Sequence, residues 1–319
     1  MDPATPAERA AAPAATAIVH RGELDYLSRC ILDYPGTETG GELFGYWTAS
    51  GVPVVLYAIG PGPKANHEAA FFNQDLDYLR RVGGRLVSAY GLQHVGEWHS
   101  HHRLGLAKPS GHDAQTMARC IAEGGLGRFL LCIANVDGAG ARSTINAFAF
   151  HQGAGHAYRH AAWDVKEGES PYRAAVDRDP ELAGVLVHPA TKAPAMDGLL
   201  LAAGEDRLVP PDYGADHWLS RRENNLALKR IVDFLGEAAP ADRVLTRLDA
   251  EGRVVLAVDR PDRRETILFP RGFPLEPPAL GVEPAGGAAA RPPDWAYAGD
   301  VFRAFERWYR AVFAEGARP

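Results

Sequence analysis

The chain has 319 residues, of which 46% are hydrophobic and 23% are charged, and its formal net charge is -6 at pH 7. This length predicts two domains rather than one, and it provides enough residues for a sizeable core without disulfide bonds. The mildly acidic balance argues against nucleic acid as the main partner, because binding to phosphate requires a basic face.

The first 16 residues are rich in Ala and Pro and are predicted to form a disordered tail. They have neither a basic start nor a continuous apolar stretch, so we expect no signal peptide, and no run is long enough to span a membrane. The three cysteines are scattered and form no CxxC pair. This usage is typical of buried thiols in a reducing compartment, so we expect a cytoplasmic protein.

Residues 17–160 are predicted to form one domain in which helices and strands alternate. Apolar residues at helical spacing predict the helices, and short apolar, β-branched runs predict the strands. The predicted helices are Leu24 to Leu32, Asp75 to Tyr90 and Ser110 to Glu123, and the predicted strands are Val52 to Ile59, Val95 to His101, Arg128 to Val136 and Ile145 to Phe150. Residues 161–215 have weak periodicity and many Gly and Pro residues, which indicates the end of this domain and a linker.

Residues 216–319 are predicted to form a smaller α+β unit. A turn sequence at Asp249 to Gly252 between two apolar runs indicates a β-hairpin. The predicted order is a helix from His217 to Leu235, strands from Arg243 to Leu248, Arg253 to Val258 and Glu265 to Phe269, a Pro-rich segment, a flexible loop from Gly281 to Pro293, and a closing helix from Asp300 to Phe313.

The segment from Gly96 to Asp113 carries the most informative residues. His99 and His101 are two residues apart on a predicted strand, so their side chains point the same way. Asp113 lies one turn into the next predicted helix, from where its carboxylate can reach the same point. Two His, one carboxylate and one open position describe a catalytic zinc site, in which water is the fourth ligand.

Amide hydrolysis requires two groups besides the metal. A base takes the proton of the attacking water and passes it to the leaving amine, and a hydrogen-bond donor stabilises the developing oxyanion. Ser110 is well placed to donate, whereas the carboxylate has to come from elsewhere in the chain. Each feature also has a simpler interpretation. Ser110 and Asp113 form the Ser-x-x-acid pattern of a helix N-cap, and the histidines could be ordinary polar residues at a strand end.

His-x-His, a loop and Ser-x-x-Asp together resemble the JAMM motif of the MPN-plus (JAB) zinc metallopeptidases. That family also carries an upstream Glu-x-x-Gly-x-Leu-x-Gly segment, which corresponds here to Glu38 through Gly45. The resemblance implies that Glu38 is the general base, because Glu42 falls where the family usually has an aliphatic residue. It also implies zinc as the cofactor, with the ligands His99, His101 and Asp113 and with Ser110 as the oxyanion donor.

The sequence departs from the family pattern in two places. Eight residues separate His101 from Ser110, one more than the commonest family spacing, and His102 replaces the usual Pro. A loop between a strand and a helix absorbs one extra residue easily. We expect the other histidines of the region to be solvated and Glu97 to face away from the site; these histidines are His94, His102 and His112.

The resemblance implies an α/β MPN/JAB (cytidine-deaminase-like) domain, with a central mixed sheet flanked by helices. It also implies a zinc-dependent peptidase or isopeptidase that cleaves after the C-terminus of a ubiquitin-like protein, in deconjugation or precursor maturation. The partners would be that protein or its conjugates, together with activating or conjugating enzymes of the same, bacterial, system. Phe71 and Phe72 are expected to help bind the extended substrate tail by β-augmentation, although they could also be core residues.

The second unit resembles, more weakly, the ubiquitin-conjugating (UBC) and RWD domains. The resemblance rests on the order of its elements and on the Pro-rich segment from Phe269 to Pro278. No cysteine follows Cys132, so this unit cannot form a conjugating enzyme's thioester. We expect it to bind a partner or the substrate and to perform no chemistry. A generic α+β domain with a Pro-rich loop is the simpler interpretation.

Three other functions stay open. One is a peptidase that trims a sulfur-carrier protein to expose its C-terminal glycine, and an accessory recognition domain favours deconjugation over this role. Another is a non-enzymatic scaffold, as metal-free MPN domains are, but the complete set of ligands argues against it. The third is a DNA-repair role, which the acidic balance and the lack of a DNA-binding motif disfavour.

Overall fold

The computed structural model describes residues 16–68, 71–102, 106–136, 142–194, 217–237, 243–249, 251–283 and 295–315. The predicted N-terminal tail lies outside these residues, except that Thr16 begins the first strand. In the ranges just given, no helix has both the length and the apolar character needed to cross a membrane.

The first unit is built around strands that close into a barrel. Its strands are β1 (Thr16–His20), β2 (Gly40–Trp47), β3 (Pro53–Ala58), β4 (Asn66–Glu68), β5 (Phe71–Asn73), β6 (Gln93–Ser100), β7 (Arg128–Val136), β8 (Ser143–His151) and β9 (Tyr158–Lys166). The order around the barrel is β1-β3-β2-β6-β7-β8-β9, while β4 and β5 form a separate hairpin. The sheet is mixed, because β6 runs parallel to β7 and β1 runs parallel to both β3 and β9.

Helices pack on the barrel strands. They are α1 (Arg21–Leu32), α2 (Leu76–Tyr90), α3 (Gly111–Glu123) and the short α4 (Arg173–Asp177). The apolar run of β7 explains why two helices are needed. Leu130, Cys132 and Ala134 belong to the core beside α1, whereas Leu131 and Ile133 belong to the core beside α3. Successive strand residues point to opposite faces, so a strand that is apolar at every position has to be covered on both sides.

Three of the barrel strands were not predicted from the sequence. β1 is short, β2 contains three glycines, and β9 carries polar residues at several positions, so none of them shows a clear apolar period. β9 extends to Lys166 and pairs with β8 and β1, which closes the barrel. Beyond it, Val176 and Leu182 are buried in the core beside α2. Part of the segment interpreted as domain end and linker is thus ordered structure on the barrel, and residues 195–215 of that segment lie outside the described ranges.

Close strand packing explains the glycines of β2. A β-carbon on Gly41 would lie 2.0 Å from the carbonyl oxygen of Ile59, and one on Gly45 would lie 1.8 Å from that of Val54. Both distances are far below a normal van der Waals contact, and the obstructing atoms belong to the backbone. Only glycine therefore fits at these two positions of the Glu-x-x-Gly-x-Leu-x-Gly segment.

The second unit contains an antiparallel sheet and two helices. Its strands are β10 (Arg243–Leu248), β11 (Val254–Asp259), β12 (Arg264–Phe269) and β13 (Ala279–Glu283), and its helices are α5 (Arg222–Glu237) and α6 (Val301–Glu315). The strands pair in sequence order. Ile231, Leu256, Phe269 and Phe305 are fully buried in one shared core.

Most of the elements predicted for this unit are present, with two corrections. The first helix begins at Arg222 after a short 3-10 turn at Trp218–Ser220, and not at His217. Gly281 lies in β13 rather than in a flexible loop, because backbone pairing with Thr266 holds it despite its lack of a side chain. The resemblances to MPN/JAB and UBC/RWD folds stay predictions.

We predict opposite effects for two glycine-to-alanine substitutions. Gly45→Ala should lower the free energy of unfolding by about 1–3 kcal/mol, because the new methyl group collides with the backbone of β3. Gly84→Ala, on the exposed face of α2 with no atom within 4 Å of the new carbon, should raise it by about 0.5–1 kcal/mol. Chemical denaturation of both variants measures the difference, and equal stabilities would contradict the packing of β2 against β3.

Candidate metal centre

Strand β6 brings the two predicted histidine ligands together. His99 lies on the strand, and His101 follows its last residue. The backbone N–H of His101 still donates to the carbonyl of Ala134, at 2.7 Å, so pairing with β7 continues past the end of the strand. The two Nε2 atoms consequently lie 3.2 Å apart.

Asp113 completes this group from the first turn of α3. Its carboxylate oxygens lie 3.4 Å from His99 Nε2 and 3.5 Å from His101 Nε2. The same carboxylate accepts the backbone N–H of Ser110 at 2.7 Å, while the Ser110 hydroxyl accepts the backbone N–H of Asp113 at 3.1 Å. This reciprocal capping box fixes the start of α3 and holds the carboxylate facing the histidines. The N-cap interpretation and the ligand interpretation of Asp113 are therefore compatible.

The ionisation of Asp113 suits metal binding. Burial raises the pKa of Asp113, but the neighbouring His99 and His101 outweigh burial and hold that pKa well below its usual range. Burial lowers the pKa of His101, and the hydrogen bond and charge of Asp113 more than compensate, so the net shift is upward. Asp113 is thus an anion next to two imidazoles, which is the state in which a carboxylate coordinates a cation.

The tautomer of His101 follows from its second nitrogen. His101 Nδ1 lies 2.7 Å from the carbonyl oxygen of Leu106. A carbonyl can only accept, so Nδ1 carries a proton and donates it, and Nε2 is the nitrogen that would coordinate a metal ion. Metal-binding histidines are commonly oriented in this way by a partner on their other nitrogen.

The donor set fits a metal ion. One ligand atom from each of His99, His101 and Asp113 lies within 4.8 Å of the other two. Two imidazoles and one carboxylate match the three protein ligands of catalytic zinc sites. All three predicted ligands are brought together, and the group could hold a metal ion.

Strand pairing places Glu38 on the same side of the sheet. In the antiparallel pair of β2 and β6, Gly40 lies opposite His99. Residues directly opposite each other share a face, and so do residues two apart. Extending this register by two residues puts Glu38 opposite His101. The hydrogen bond from the Ser100 N–H to the Thr39 carbonyl, at 2.8 Å, shows that pairing does continue in this direction.

The β4–β5 hairpin supports the Glu38 backbone. The Glu38 N–H donates to the carbonyl of Glu68 at 2.8 Å, and the Glu38 carbonyl accepts from His67 Nδ1 at 3.1 Å. The imidazole of His67 stacks on Tyr34, with 3.7 Å between the ring centroids. Glu38 is thereby fixed although it precedes β2.

A cleft of about 520 Å³ opens above the centre. The predicted residues Glu38, Ser110 and Phe72 line it together with the three ligands. The second unit contributes Ser220 and Asn225 to the same cleft. Phe72 lies against the backbone of Gly40, where a β-carbon would come within 2.7 Å of its ring. Phe71 lies on β5 opposite Glu68, but its side chain is outside the described part of the chain.

Glu97 was expected to face away from the site, and this expectation is wrong. Residues 97, 99 and 101 of one strand share a face, so Glu97 lines the cleft beside His99. Its carboxyl group is opposite Glu42 on β2, and burial followed by the charge of Glu42 raises the pKa of Glu97 to about 8. Side chains alternate between the two faces of a strand, so the two-residue spacing of Glu97 and His99 in the sequence was sufficient to place both on one face.

The remaining histidines differ in their surroundings. His112 is exposed, as expected. His94 is half exposed, but its Nε2 lies 2.6 Å from a Glu42 oxygen. His102 is only 1% exposed rather than solvated, because the chain turns directly after β6 with a φ of 36° at this residue and folds the side chain inward. A positive φ is uncommon outside glycine and is not accessible to the proline usual in the family.

No family model matches the chain. Over 91 residues the chain is 32% identical to the "probable metalloprotease y4qB" of Sinorhizobium fredii, which corresponds to 26% of this chain and 52% of that protein. The chain thus matches about half the length of this curated relative. A solution structure of protein DSY2949 from Desulfitobacterium hafniense aligns with 48% of this chain and 95% of its own, at 14% identity and a TM-score of 0.38.

We predict that the purified protein contains one zinc ion per chain. The double variant His99→Ala, His101→Ala should lose it, because one carboxylate cannot retain zinc alone. Glu97→Gln is the matched control, since it changes the same cleft without removing a ligand, and it should keep the metal. Elemental analysis after dialysis gives the stoichiometry. Full zinc content in the double variant would contradict the assignment of the ligands.

Proposed function

We propose that the protein is a zinc-dependent peptidase whose metal is held by His99, His101 and Asp113. The convergence of these three side chains at the floor of one cleft carries the proposal. The partial similarity to a probable metalloprotease supports the same chemistry. When bound, zinc supplies the Lewis acidity that makes water nucleophilic near neutral pH.

Glu38 is the general base in this proposal. Its carboxylate lines the cleft on the face that carries both histidines, and its negative charge contributes to the upward shift of the His101 pKa. In this position it can take a proton from the attacking water and deliver it to the leaving amine, the two transfers that amide hydrolysis requires.

Glu42 is less suited to that role although it lines the same cleft. It lies opposite Glu97 rather than His99. Its position is two residues, or about 7 Å along the strand, beyond Gly40, the residue opposite His99. Its carboxylate is also engaged by His94 at 2.6 Å. The structure thus offers a physical reason for preferring Glu38, independent of the family pattern.

Ser110 is the proposed oxyanion donor. Its oxygen accepts the Asp113 N–H in the capping box, and a hydroxyl that accepts a hydrogen bond still has its own proton to donate. It also lines the cleft. One residue can therefore cap α3 and donate to a substrate carbonyl.

We propose the C-terminal tail of a ubiquitin-like protein as the substrate, cleaved at a peptide or isopeptide bond. The resemblance of the motif to deubiquitinating MPN-plus enzymes motivates this choice, and activating or conjugating enzymes would be further partners. An extended tail suits a cleft bordered by the short strand β5, where backbone pairing adds a strand. A sulfur-carrier protein presents a similar tail and is the second candidate. The three converging ligands and Glu38 favour an enzyme over a scaffold.

Glu38→Gln should lower the turnover of a ubiquitin-like protein with a C-terminal peptide extension by about 10²-fold or more, the usual effect of losing a general base. The zinc content should stay unchanged, because Glu38 is not a ligand. Glu42→Gln is the matched control and should be far milder. An inactive Glu42→Gln variant together with an active Glu38→Gln variant would show that Glu42, and not Glu38, is the general base.

Phe72→Ala should raise KM about tenfold with little change in kcat, if the ring contacts the substrate tail, because losing an apolar anchor typically costs more than about 1 kcal/mol. Thermal unfolding should change little, since the ring is only half buried. Tyr46→Ala, at an exposed aromatic residue outside the cleft, is the control. A large loss of stability with an unchanged KM would instead show that Phe72 is a core residue.

A further inference from the structure

The loop between β6 and α3 connects the metal centre to the second unit. Leu106 belongs to this loop, and its side chain is 8% exposed. It is buried in the hydrophobic core of the second unit, the cluster that contains Trp218, Leu219 and Phe273. A residue between two metal ligands in the sequence is thus part of the core of the other unit.

The backbone of Leu106 is turned toward the metal centre. Its carbonyl accepts the proton of His101 Nδ1 at 2.7 Å and a second hydrogen bond from Asn135 Nδ2 at 3.3 Å. Both donors are at least nine-tenths buried, so these bonds do not compete with bulk water. This oxygen is the hydrogen-bond partner of the Nδ1 side of the His101 ring, while Asp113 and His99 lie against its Nε2 side.

The second unit also borders the cleft directly. Ser220 lines it from the turn before α5, and Asn225 lines it from the first turn of that helix. Asn225 is held in place by a hydrogen bond from its Nδ2 to the carbonyl of Leu219, at 2.7 Å. Leu219 is fully buried in the same core that receives Leu106. The cleft residue Asn225 and the loop residue Leu106 are therefore both held by the core of the second unit.

We propose that the second unit positions the metal ligand His101, with Leu106 as the positioning residue, and that it is not a separable recognition module. This proposal rests on the zinc site of the proposed function. The apolar side chain holds Leu106 in the core of the second unit, and Leu106 thereby presents its carbonyl to His101 Nδ1. That hydrogen bond leaves Nε2 as the nitrogen that would bind the metal. From its sequence, the second unit was expected to bind a partner or the substrate and to perform no chemistry. In this proposal it also takes part in building the site.

The test compares three variants of the full chain by zinc titration against a chelator of known affinity. Leu106→Ala should weaken zinc binding by about 10–100-fold, the range found when a group that orients a metal ligand is lost. Leu106→Met, which refills the same space, should restore most of the affinity. Leu256→Ala removes the same atoms from the same core at a fully buried position on β11, away from the loop, and should bind zinc like the unmodified chain.

Cobalt provides a second readout. The visible absorption of the Co²⁺-loaded chain reports the ligands and geometry of the metal, so Leu106→Ala should change the spectrum and Leu256→Ala should not. An unchanged affinity and spectrum for Leu106→Ala would overturn the proposal. Equal losses in Leu106→Ala and Leu256→Ala would do so too, because they would show a general loosening of the core.

If Leu106→Ala fails to fold, Leu106→Val replaces it, with a smaller expected loss of zinc affinity and the same criterion for rejection. The outcome does not depend on peptidase activity. Failure of the proposed function would appear differently, as an unmodified chain that binds zinc but cleaves no ubiquitin-like substrate.

Discussion

Backbone pairing of β6 with β2 on one side and β7 on the other is the interaction on which the candidate site depends. It places Gly40 opposite His99, and it continues beyond the strand to the Ala134 carbonyl. The backbones that carry the two imidazoles and Glu38 are consequently positioned by main-chain hydrogen bonds. Groups held in this way need little reorganisation to bind a metal or to stabilise a transition state. The glycines of β2 serve the same purpose, because they permit the close approach of β3.

Several residues of the candidate site stabilise the fold and line the cleft or face the two histidines at the same time. Asp113 caps α3 and faces the two histidines, and Ser110 completes the capping box while it lines the cleft. Loss of solvation and the neighbouring charge of Glu42 disfavour ionisation of the Glu97 carboxyl group, which also lines the cleft. The fold thus concentrates acidic groups around a centre suited to a cation. A bound cation would reverse this balance, since the charge of the metal dominates the local electrostatics.

The second unit contributes more than its sequence indicated. No cysteine follows Cys132, so a thioester role is not part of the proposal for this unit. Its helix start lines the cleft, and its core contains a residue from the loop between the metal ligands. Two units that share a core in this manner do not behave as independent modules, because each contributes to the stability of the other. Recognition of a partner and support of the metal ligands are compatible roles for one domain.

Sequence patterns were enough to predict the candidate ligands His99, His101 and Asp113, the acidic residue Glu38, most helices, and the strands with a continuous apolar run. All of these are encoded in short windows, through residue spacing or the periods of helix and strand. Three features became visible only in the three-dimensional structure: β9 closes the barrel, His102 is buried, and Leu106 belongs to the core of the other unit. These features depend on contacts between residues far apart in the chain. Local periodicity carries no information about which distant strand or core a residue will join, and burial there outweighs local preference.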